Sequence, residues 1–294
     1  GEHHPLRVAT VRLHETSVLD AKLLLLYGTQ LEGGSGAGIE ANVADVFLSN
    51  VEILGTDAWC EIHMDDGTFT ATNVNFTASH AKQVLVLLDT KTHLTSVNIS
   101  RGRDFSPEGP DSDSLVVVKK AHRMTEMREY SLEHVIEQCV FSGNICKGCS
   151  GGALWINGIQ GDKVTIRDSM FADNIVTSLN DPSADSDGII YRKGCGGAVF
   201  AQSDYISIDI VSSTFVGNTA KDGKPSNVLG GGGAVFITGI ANTYSPSSSP
   251  AVSIAHSTFI RNQAEDDNGG AVCTGSALVD VKDCFLFANI AGDK

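Results

Sequence analysis

The acidic side chains are the first candidates for chemistry in this sequence. Two adjacent pairs occur, Asp65-Asp66 and Asp266-Asp267, and paired carboxylates hydrolyse glycosidic bonds by acid and base catalysis. Both pairs stand in turn-like contexts, where solvated loop charge is the commoner role. A third acidic segment, residues 181–188, places oxygen ligands near a glycine but lacks the distal glutamate of an EF-hand. The acidic residues therefore predict no catalytic set and no metal site.

Cysteine and histidine give no stronger signal for a reaction. Cys146 and Cys149 form a CxxC pair. A zinc site needs a second pair and a redox site needs a thioredoxin-like βαβ context, and the sequence has neither. The 9 histidines are scattered, without the HExxH spacing of a zinc protease. We therefore expect no cofactor at these residues.

The composition excludes two classes of partner. The formal net charge is −14, with 35 acidic and 21 basic residues, so nucleic-acid phosphates would be repelled. The longest apolar runs, 23–26 and 84–88, are far shorter than the roughly 20 residues of a membrane-spanning helix. Abundant glycine, scarce proline and few aromatic residues favour many short strands joined by tight turns.

Internal repeats indicate which elements position these side chains. One repeat has the form small-x-large-x-x-Asn and a second has the form Gly-Gly-Ala-apolar, and the two alternate between residues 139 and 289. The large residue and the asparagine of the first repeat are Phe141 and Asn144, Phe171 and Asn174, Phe215 and Asn218, Phe259 and Asn262, and Leu286 and Asn289. The paired glycines of the second repeat are Gly151 and Gly152, Gly196 and Gly197, Gly232 and Gly233, and Gly269 and Gly270.

The first half of the chain carries a weaker form of the repeat. Its small-x-large positions recur at intervals of 23 residues and are filled by Val51 and Ile53, Val74 and Phe76, and Val97 and Ile99. Upstream of each large residue, apolar residues occupy every second position. This alternation is interrupted by one extra residue before it resumes at the small and large positions of the repeat. Period-two alternation marks a strand with one buried face, so the slip predicts a corner between two strands of one coil.

These patterns predict an all-β chain folded as a right-handed, single-stranded parallel β-helix, a solenoid with long surface loops. Loops leave such a coil at low entropic cost, and we expect them at 102–114, 175–194, 219–231 and 239–250. One domain spans residues 1–294, with an N-terminal coil or cap region at 1–44, degenerate coils at 45–135 and regular coils at 136–294. The last coil would leave strand edges open, so we expect the native chain to continue beyond Lys294, or a neighbouring chain to cover this end.

Stacked coils place like residues above like residues, about 4.8 Å apart. The phenylalanines would then form an internal column, with Leu286 replacing Phe in the fifth unit, and the asparagines would form a buried ladder. The paired glycines would supply positive φ and close backbone approach. Trp155, Phe200, Phe236 and Cys273 share the position after the Gly-Gly-Ala-apolar unit, and the sequence leaves open whether they face the core or an overlying loop.

Two kinds of covalent site are predicted from the coil positions. Asn75-Phe-Thr and Asn98-Ile-Ser are N-glycosylation sequons whose asparagines should point outward on neighbouring coils. Cys149 and Cys195 each stand before a Gly-Gly-Ala turn on consecutive coils, which predicts a disulfide between them, with buried thiols as the alternative. Two further cysteines fill the inward small position of the repeat and are expected in the core: Cys139 and Cys284.

The alternating GGA[ILV] and FxxN motifs between residues 139 and 289 resemble the repeat of the chlamydial polymorphic outer membrane proteins. The resemblance implies a β-helical, surface-exposed and adhesive region. Similar repeats also occur in surface proteins of algae and other protists, so it equally fits a eukaryotic relative. Residues 1–135 depart from the family pattern, because their coils are degenerate.

The sequence supports two functional hypotheses. The first is a non-enzymatic β-helix, extracellular or at the cell surface, that presents an extended surface to other surface proteins or glycans for adhesion or for assembly of a cell-surface structure. The second is a carbohydrate-active β-helix, a polysaccharide lyase or hydrolase. The second requires a groove lined by three or more acidic side chains. For the first we expect no catalytic residue, no nucleic-acid partner and no membrane span in this segment.

Overall fold

The protein is described by a computed structural model over much of its length. The structure describes residues 10–13, 17–19, 23–27, 30–33, 39–54, 60–77, 83–100, 104–105, 116–119, 131–157, 161–177, 194–202, 206–221, 231–239, 251–265, 268–275 and 277–292. Within these ranges the regular elements are all β-strands, and each strand pairing is parallel. The predicted all-β class and the parallel, stacked architecture are confirmed.

In the first part of the chain the strands vary in length, and three of them are long. They are β1 (Thr10–Leu13), β2 (Ser17–Leu19), β3 (Leu23–Tyr27), β4 (Gln30–Gly33), β5 (Ile39–Leu54), β6 (Cys60–Thr77), β7 (Gln83–Thr95), β8 (Asn98–Ser100), β9 (Asp104–Phe105) and β10 (Val116–Lys119).

In the second part, short strands recur in the same order from coil to coil. They are β11 (Glu133–Glu137), β12 (Val140–Ser142), β13 (Ile145–Lys147), β14 (Leu154–Asn157); β15 (Lys163–Arg167), β16 (Met170–Ala172), β17 (Ile175–Thr177), β18 (Val199–Gln202); β19 (Ser207–Val211), β20 (Thr214–Val216), β21 (Thr219–Lys221), β22 (Val235–Thr238); β23 (Ala251–Ala255), β24 (Thr258–Ile260), β25 (Gln263–Glu265), β26 (Val272–Thr274); and β27 (Leu278–Lys282), β28 (Phe285–Phe287), β29 (Ile290–Ala291).

Successive coils stack with matching repeat positions in register. Phe141 pairs with Phe171, and the same position continues through Phe215, Phe259 and Leu286. The five-residue strands β11, β15, β19, β23 and β27 form a second stack alongside. Each repeat unit in the sequence therefore corresponds to one coil of the stack, whatever length of chain lies between successive units.

The predicted corner lies one residue before the inward small position. The residue there has positive φ in coil after coil and is not glycine: Asn50, Asn73, Ser96, Gln138, Asp168, Ser212, His256 and Asp283. A residue with left-handed φ turns the following side chain to the opposite face of the strand. This backbone conformation costs about 1 kcal/mol for a residue other than glycine. This corner explains the one-residue slip of the apolar alternation.

A second corner precedes each ladder asparagine, and the segments after it differ from the prediction. Residues 175–194 and 219–231 were expected to be loops, but they begin with strands β17 and β21. These strands belong to a separate six-stranded sheet with β9, β13, β25 and β29, and β9 likewise lies within the expected loop 102–114. Three-residue strands carry too few positions for a period of two to be read from the sequence.

Candidate functional surface

The predicted phenylalanine column fills the interior of the regular coils. The ring centroids of Phe141, Phe171, Phe215 and Phe259 are 4.8 Å apart at each step, with interplanar angles of 8°, 3° and 3°. All four side chains are buried. Leu286 lies in register above Phe259 but is 55% exposed in the last described coil. The column therefore serves packing, and the chain's contacts with other molecules must be sought on its outer faces.

The asparagine ladder is buried and runs in one direction along the stack. Asn218 shows its pattern: the Oδ1 atom accepts hydrogen bonds from the backbone N of Asn174 at 3.1 Å and from its Nδ2 at 2.9 Å. Nδ2 of Asn218 donates to the Phe171 carbonyl at 2.9 Å and to Oδ1 of Asn262 at 2.9 Å. The same bonds extend to Asn144 at one end and Asn289 at the other. The asparagine side chains therefore supply hydrogen-bond partners to backbone groups at a corner of the coil, where no neighbouring strand pairs with those groups.

The paired glycines have two different roles, of which the pair Gly196 and Gly197 is typical. Gly196 has φ of +65°, so the first glycine supplies the left-handed turn. A Cβ on Gly197 would stand 2.6 Å from the backbone N of Thr219, the residue that follows ladder residue Asn218. The second glycine therefore lies directly against the asparagine corner of the next coil. This contact explains why the two motifs alternate in the sequence.

The predicted disulfide between Cys149 and Cys195 is wrong. Cys149 is bonded to Cys146, with the two Cα atoms 6.0 Å apart. The stacking partner of Cys149 is Gly194, whose N–H donates to the Cys149 carbonyl at 2.7 Å. Cys195 stands one residue closer to its glycine pair than Cys149 does. A shift of one residue turns a side chain to the opposite face of a strand.

The two cysteines accordingly belong to different apolar clusters. Cys146 and Cys149 pack with Val176 and Ala220, inside the corner formed by the six-stranded sheet. Cys195 packs with a column on the other side of the strands after the glycine pairs, which consists of Trp155, Phe200, Phe236 and Cys273. Leu154 and Ile156 alternate with Trp155 and belong to the main core. The Trp155 column therefore faces away from that core, which resolves the question the sequence left open.

Cys139 and Cys284 occupy the inward small position, as predicted. Cys139 is buried, and its backbone N donates to Oγ of Ser169 at 3.1 Å. Burial raises the pKa of the Cys139 thiol from 9.0 to about 11. A thiol of that kind is neutral and unreactive at neutral pH. Cys284 is partly buried and packs against the main core.

One outer face of the stack is charged. It consists of the outward side chains of β11, β15, β19, β23 and β27, and we call it the charged face. Arg167 and Glu137 form an ion pair at 2.7 Å across neighbouring coils. Lys163 lies 3.5 Å from Asp209, and other charged positions follow at Glu133, Asp280 and Lys282. Exposed pairs of this kind contribute little to stability, but they keep the face solvated.

A second outer face carries no ionisable side chain among its described residues, and we call it the uncharged face. Its members are the outward residues of β8, β12, β16, β20, β24 and β28: Asn98, Ser100, Val140, Ser142, Met170, Ala172, Thr214, Val216, Thr258, Ile260, Phe285 and Phe287. Met170 is 39% exposed, and Phe285 and Phe287 are 57% and 56% exposed. Seven of these twelve residues are apolar and none is ionisable, and a partly apolar, uncharged face on a strongly acidic chain marks a candidate contact surface.

The sequon asparagines extend the row at one end of this face. Asn75 pairs with Asn98 in register on the neighbouring coil. Nδ2 of Asn98 donates to Oδ1 of Asn75 at 2.9 Å, and both side chains are partly exposed. The asparagines therefore point outward, as the coil position predicted, and glycosylation itself remains a prediction.

The acidic candidates form no catalytic cluster in the ranges that the structure describes. Asp66 has φ of 68°, and its Oδ1 accepts from the N–H of Gly67 at 2.7 Å, so this carboxylate caps a turn. Among those residues, no three His, Cys, Asp or Glu side chains lie close enough to hold a metal ion. The pair Asp266-Asp267 and the segment 181–188 lie outside the described residues.

Comparisons with known proteins give no match. No family model matches the sequence, and no curated protein and no solved structure matches it either. In the described ranges, no helix has the length and apolar character that crossing a membrane requires.

Proposed function

We propose that this protein is a non-enzymatic β-helix, located outside the cell or at its surface, whose uncharged face mediates adhesion or the assembly of a cell-surface structure. The observation that carries the proposal is the contrast between a net charge of −14 and the row from Val140 to Phe287 without an ionisable group. The apolar side chains of this face, held in register on neighbouring strands, cost solubility, and contact with a partner recovers the free energy of their burial.

Two further observations support the location. A disulfide between Cys146 and Cys149 is typical of an oxidising compartment. Asn75 and Asn98 stand outward in sequons, which suits a glycoprotein made in a secretory pathway. Membership of the polymorphic outer membrane protein repeat family is part of the same proposal and is supported by the alternating Gly-Gly-Ala and Phe-x-x-Asn corners.

Attachment of the purified chain to surfaces tests the proposal. The chain is immobilised, and binding of intact cells and of extracellular glycans is measured for wild type, Thr214→Lys and Thr165→Lys. Thr214 lies at the centre of the uncharged face and Thr165 on the charged face, so the same substitution adds one positive charge to each. We expect Thr214→Lys to reduce binding at least tenfold and Thr165→Lys to leave it unchanged.

The carbohydrate-active alternative is tested with the same preparation. Incubation with acidic and neutral polysaccharides is followed by an assay for new reducing ends and for the unsaturated products of a lyase. We expect none. Cleavage by the wild-type chain would overturn the proposal of a non-enzymatic protein, and its persistence in Thr214→Lys would locate the activity away from the uncharged face.

A further inference from the structure

We propose that the partner of the uncharged face is a second copy of this chain, packed against it face to face. This inference deepens the proposed function and rests on it. Two chains of charge −14 repel each other wherever their surfaces carry charge. The charged face would bury ionised groups such as Glu137, Arg167 and Asp209 against those of the other copy, whereas the part of the uncharged face from β12 to β28 brings together only apolar and hydroxyl side chains.

The shape of the face suits packing of a sheet against a sheet. Its strands β12, β16, β20, β24 and β28 are in register, so the outward side chains form straight rows. Two such sheets pack about 10 Å apart with interdigitating side chains. One outward row increases in size from Ser142 and Ala172 to Phe287, so a twofold axis through its centre would set large residues against small ones. Met170 is also conformationally adaptable.

Charges at the borders limit the contact to this face. The corner residues Asp168 and Asp283 lie along one edge, and Asp173 and Arg261 lie along the other. Their side chains are exposed, so they remain hydrated at the rim while the centre is covered, which is the usual anatomy of an interface.

The size of the face predicts a weak dimer. The five stacked strands from β12 to β28 span about 19 Å at roughly 4.8 Å per step, and a three-residue strand is about 10 Å long. This area is below the approximately 800 Å² per partner of a stable complex. Association should therefore depend on concentration and increase when chains are held close together on a surface. High salt should not dissociate the dimer, because it contains no ion pair and the repulsion between chains is screened.

Sedimentation equilibrium of the purified full chain over a hundredfold concentration range tests the inference. We expect a monomer–dimer equilibrium that persists in 1 M NaCl, a dissociation constant at least tenfold higher for Thr214→Lys and for Thr258→Lys, and a wild-type constant for Thr165→Lys. Circular dichroism and urea midpoints establish which variants are folded. Two variants on the uncharged face are used so that the comparison can still be made if one of them does not fold.

Three outcomes overturn the inference. They are a monomer at every concentration, equal association of Thr214→Lys, Thr258→Lys and wild type, and equal loss of association in Thr165→Lys. A monomeric wild-type chain whose binding to cells or glycans is abolished by Thr214→Lys would refute self-association but retain the proposed function. A dimer with no surface binding would refute adhesion and retain assembly.

Discussion

The coils at residues 39–100 and those at residues 131–292 build the same stack with different corners. In the first region the asparagines at 50 and 73 are 23 residues apart and exposed, and Nδ2 of Asn73 donates to Oδ1 of Asn50 at 2.6 Å on the outside. In the second region, ladder asparagines such as Asn174 and Asn218 are 44 residues apart and buried. At the sequence positions of the ladder asparagines, three residues after the large residue, the first region has Thr56, Ser79 and Gly102, so the repeat does not continue the ladder there.

The difference shows what the two motifs contribute. Strands β5, β6 and β7 are long and bend at left-handed residues, among them Asn50 and Asn73. The second region instead fixes two corners of each coil by contact between the glycine pair and the asparagine turn. A corner that is held by its own contacts tolerates any length of chain between coils. The ladder therefore permits the separations of 30, 44, 44 and 27 residues.

Breaking the glycine contact should have the largest effect. In Gly233→Ala, the added Cβ would stand 2.5 Å from the backbone N of Gln263 and 2.6 Å from its carbonyl carbon. Backbone on two coils would have to separate, so we expect a loss of about 4 kcal/mol in the free energy of unfolding, at the upper end for single substitutions. Urea denaturation followed by circular dichroism measures the loss.

Gly217→Ala is the matched control for that variant. Gly217, unlike Gly233, has positive φ, but the nearest atom to an added Cβ belongs to the side chain of Asp173, which can move. The same corner position is occupied by Asp173, Arg261 and Ala288 in other coils. We expect a loss of about 1 kcal/mol. Equal losses in the two glycine variants would contradict the role of backbone contact.

Removing one ladder residue should have the next largest effect. Asn218→Ala deletes the acceptor of two hydrogen bonds from Asn174 and the donor of two more. Because the groups left behind are buried, we expect a loss of about 3 kcal/mol. Asn73→Ala in the first region removes an exposed hydrogen bond to Asn50 and places alanine at a φ of 53°, so it should cost only about 1 kcal/mol. A urea midpoint shifted equally by both variants would show that the internal ladder has no special role.

The repeat made much of this architecture predictable, and the limits of the prediction are physical. The large residue and the asparagine of each unit, such as Phe141 and Asn144, keep the same spacing in coil after coil. The repeat could therefore be recognised in the sequence, and stacking of the coils then predicted the column and the ladder. The partner of Cys149 depended on a shift of one residue at the glycine turn, which the motif GGA does not encode. Strands β17 and β21 were missed because each buries one side chain, Val176 or Ala220. The uncharged face was missed because the repeat pattern is carried by inward residues, whereas the outward ones vary in type from coil to coil.

Substitution of Cys139 should have the smallest effect on the free energy of unfolding. This residue lies where the degenerate coils of the first region meet the regular coils of the second. Its position is filled by Val97 in the coil before and by Ser169 in the coil after. The pKa of the buried thiol is raised from 9.0 to about 11, so the unfolded chain loses this proton first. The protonated Cys139 thiol therefore makes its full contribution to the free energy of unfolding below pH 9, and this contribution is lost as the pH rises towards 11. The loss at pH 10 should be about 1.4 kcal/mol.

Two substitutions separate this titration from other effects of alkali. Cys139→Val restores the residue type of the first region and Cys139→Ser that of the second, and neither titrates near pH 10. We expect both variants to stay within about 1 kcal/mol of wild type at pH 7 and to lose less stability than wild type between pH 9 and 11. Urea midpoints across that range provide the measurement. Parallel decline in all three proteins would mean that the Cys139 proton does not control the alkaline limit, and a large loss at pH 7 in Cys139→Ser alone would mean that this coil packs like the first region.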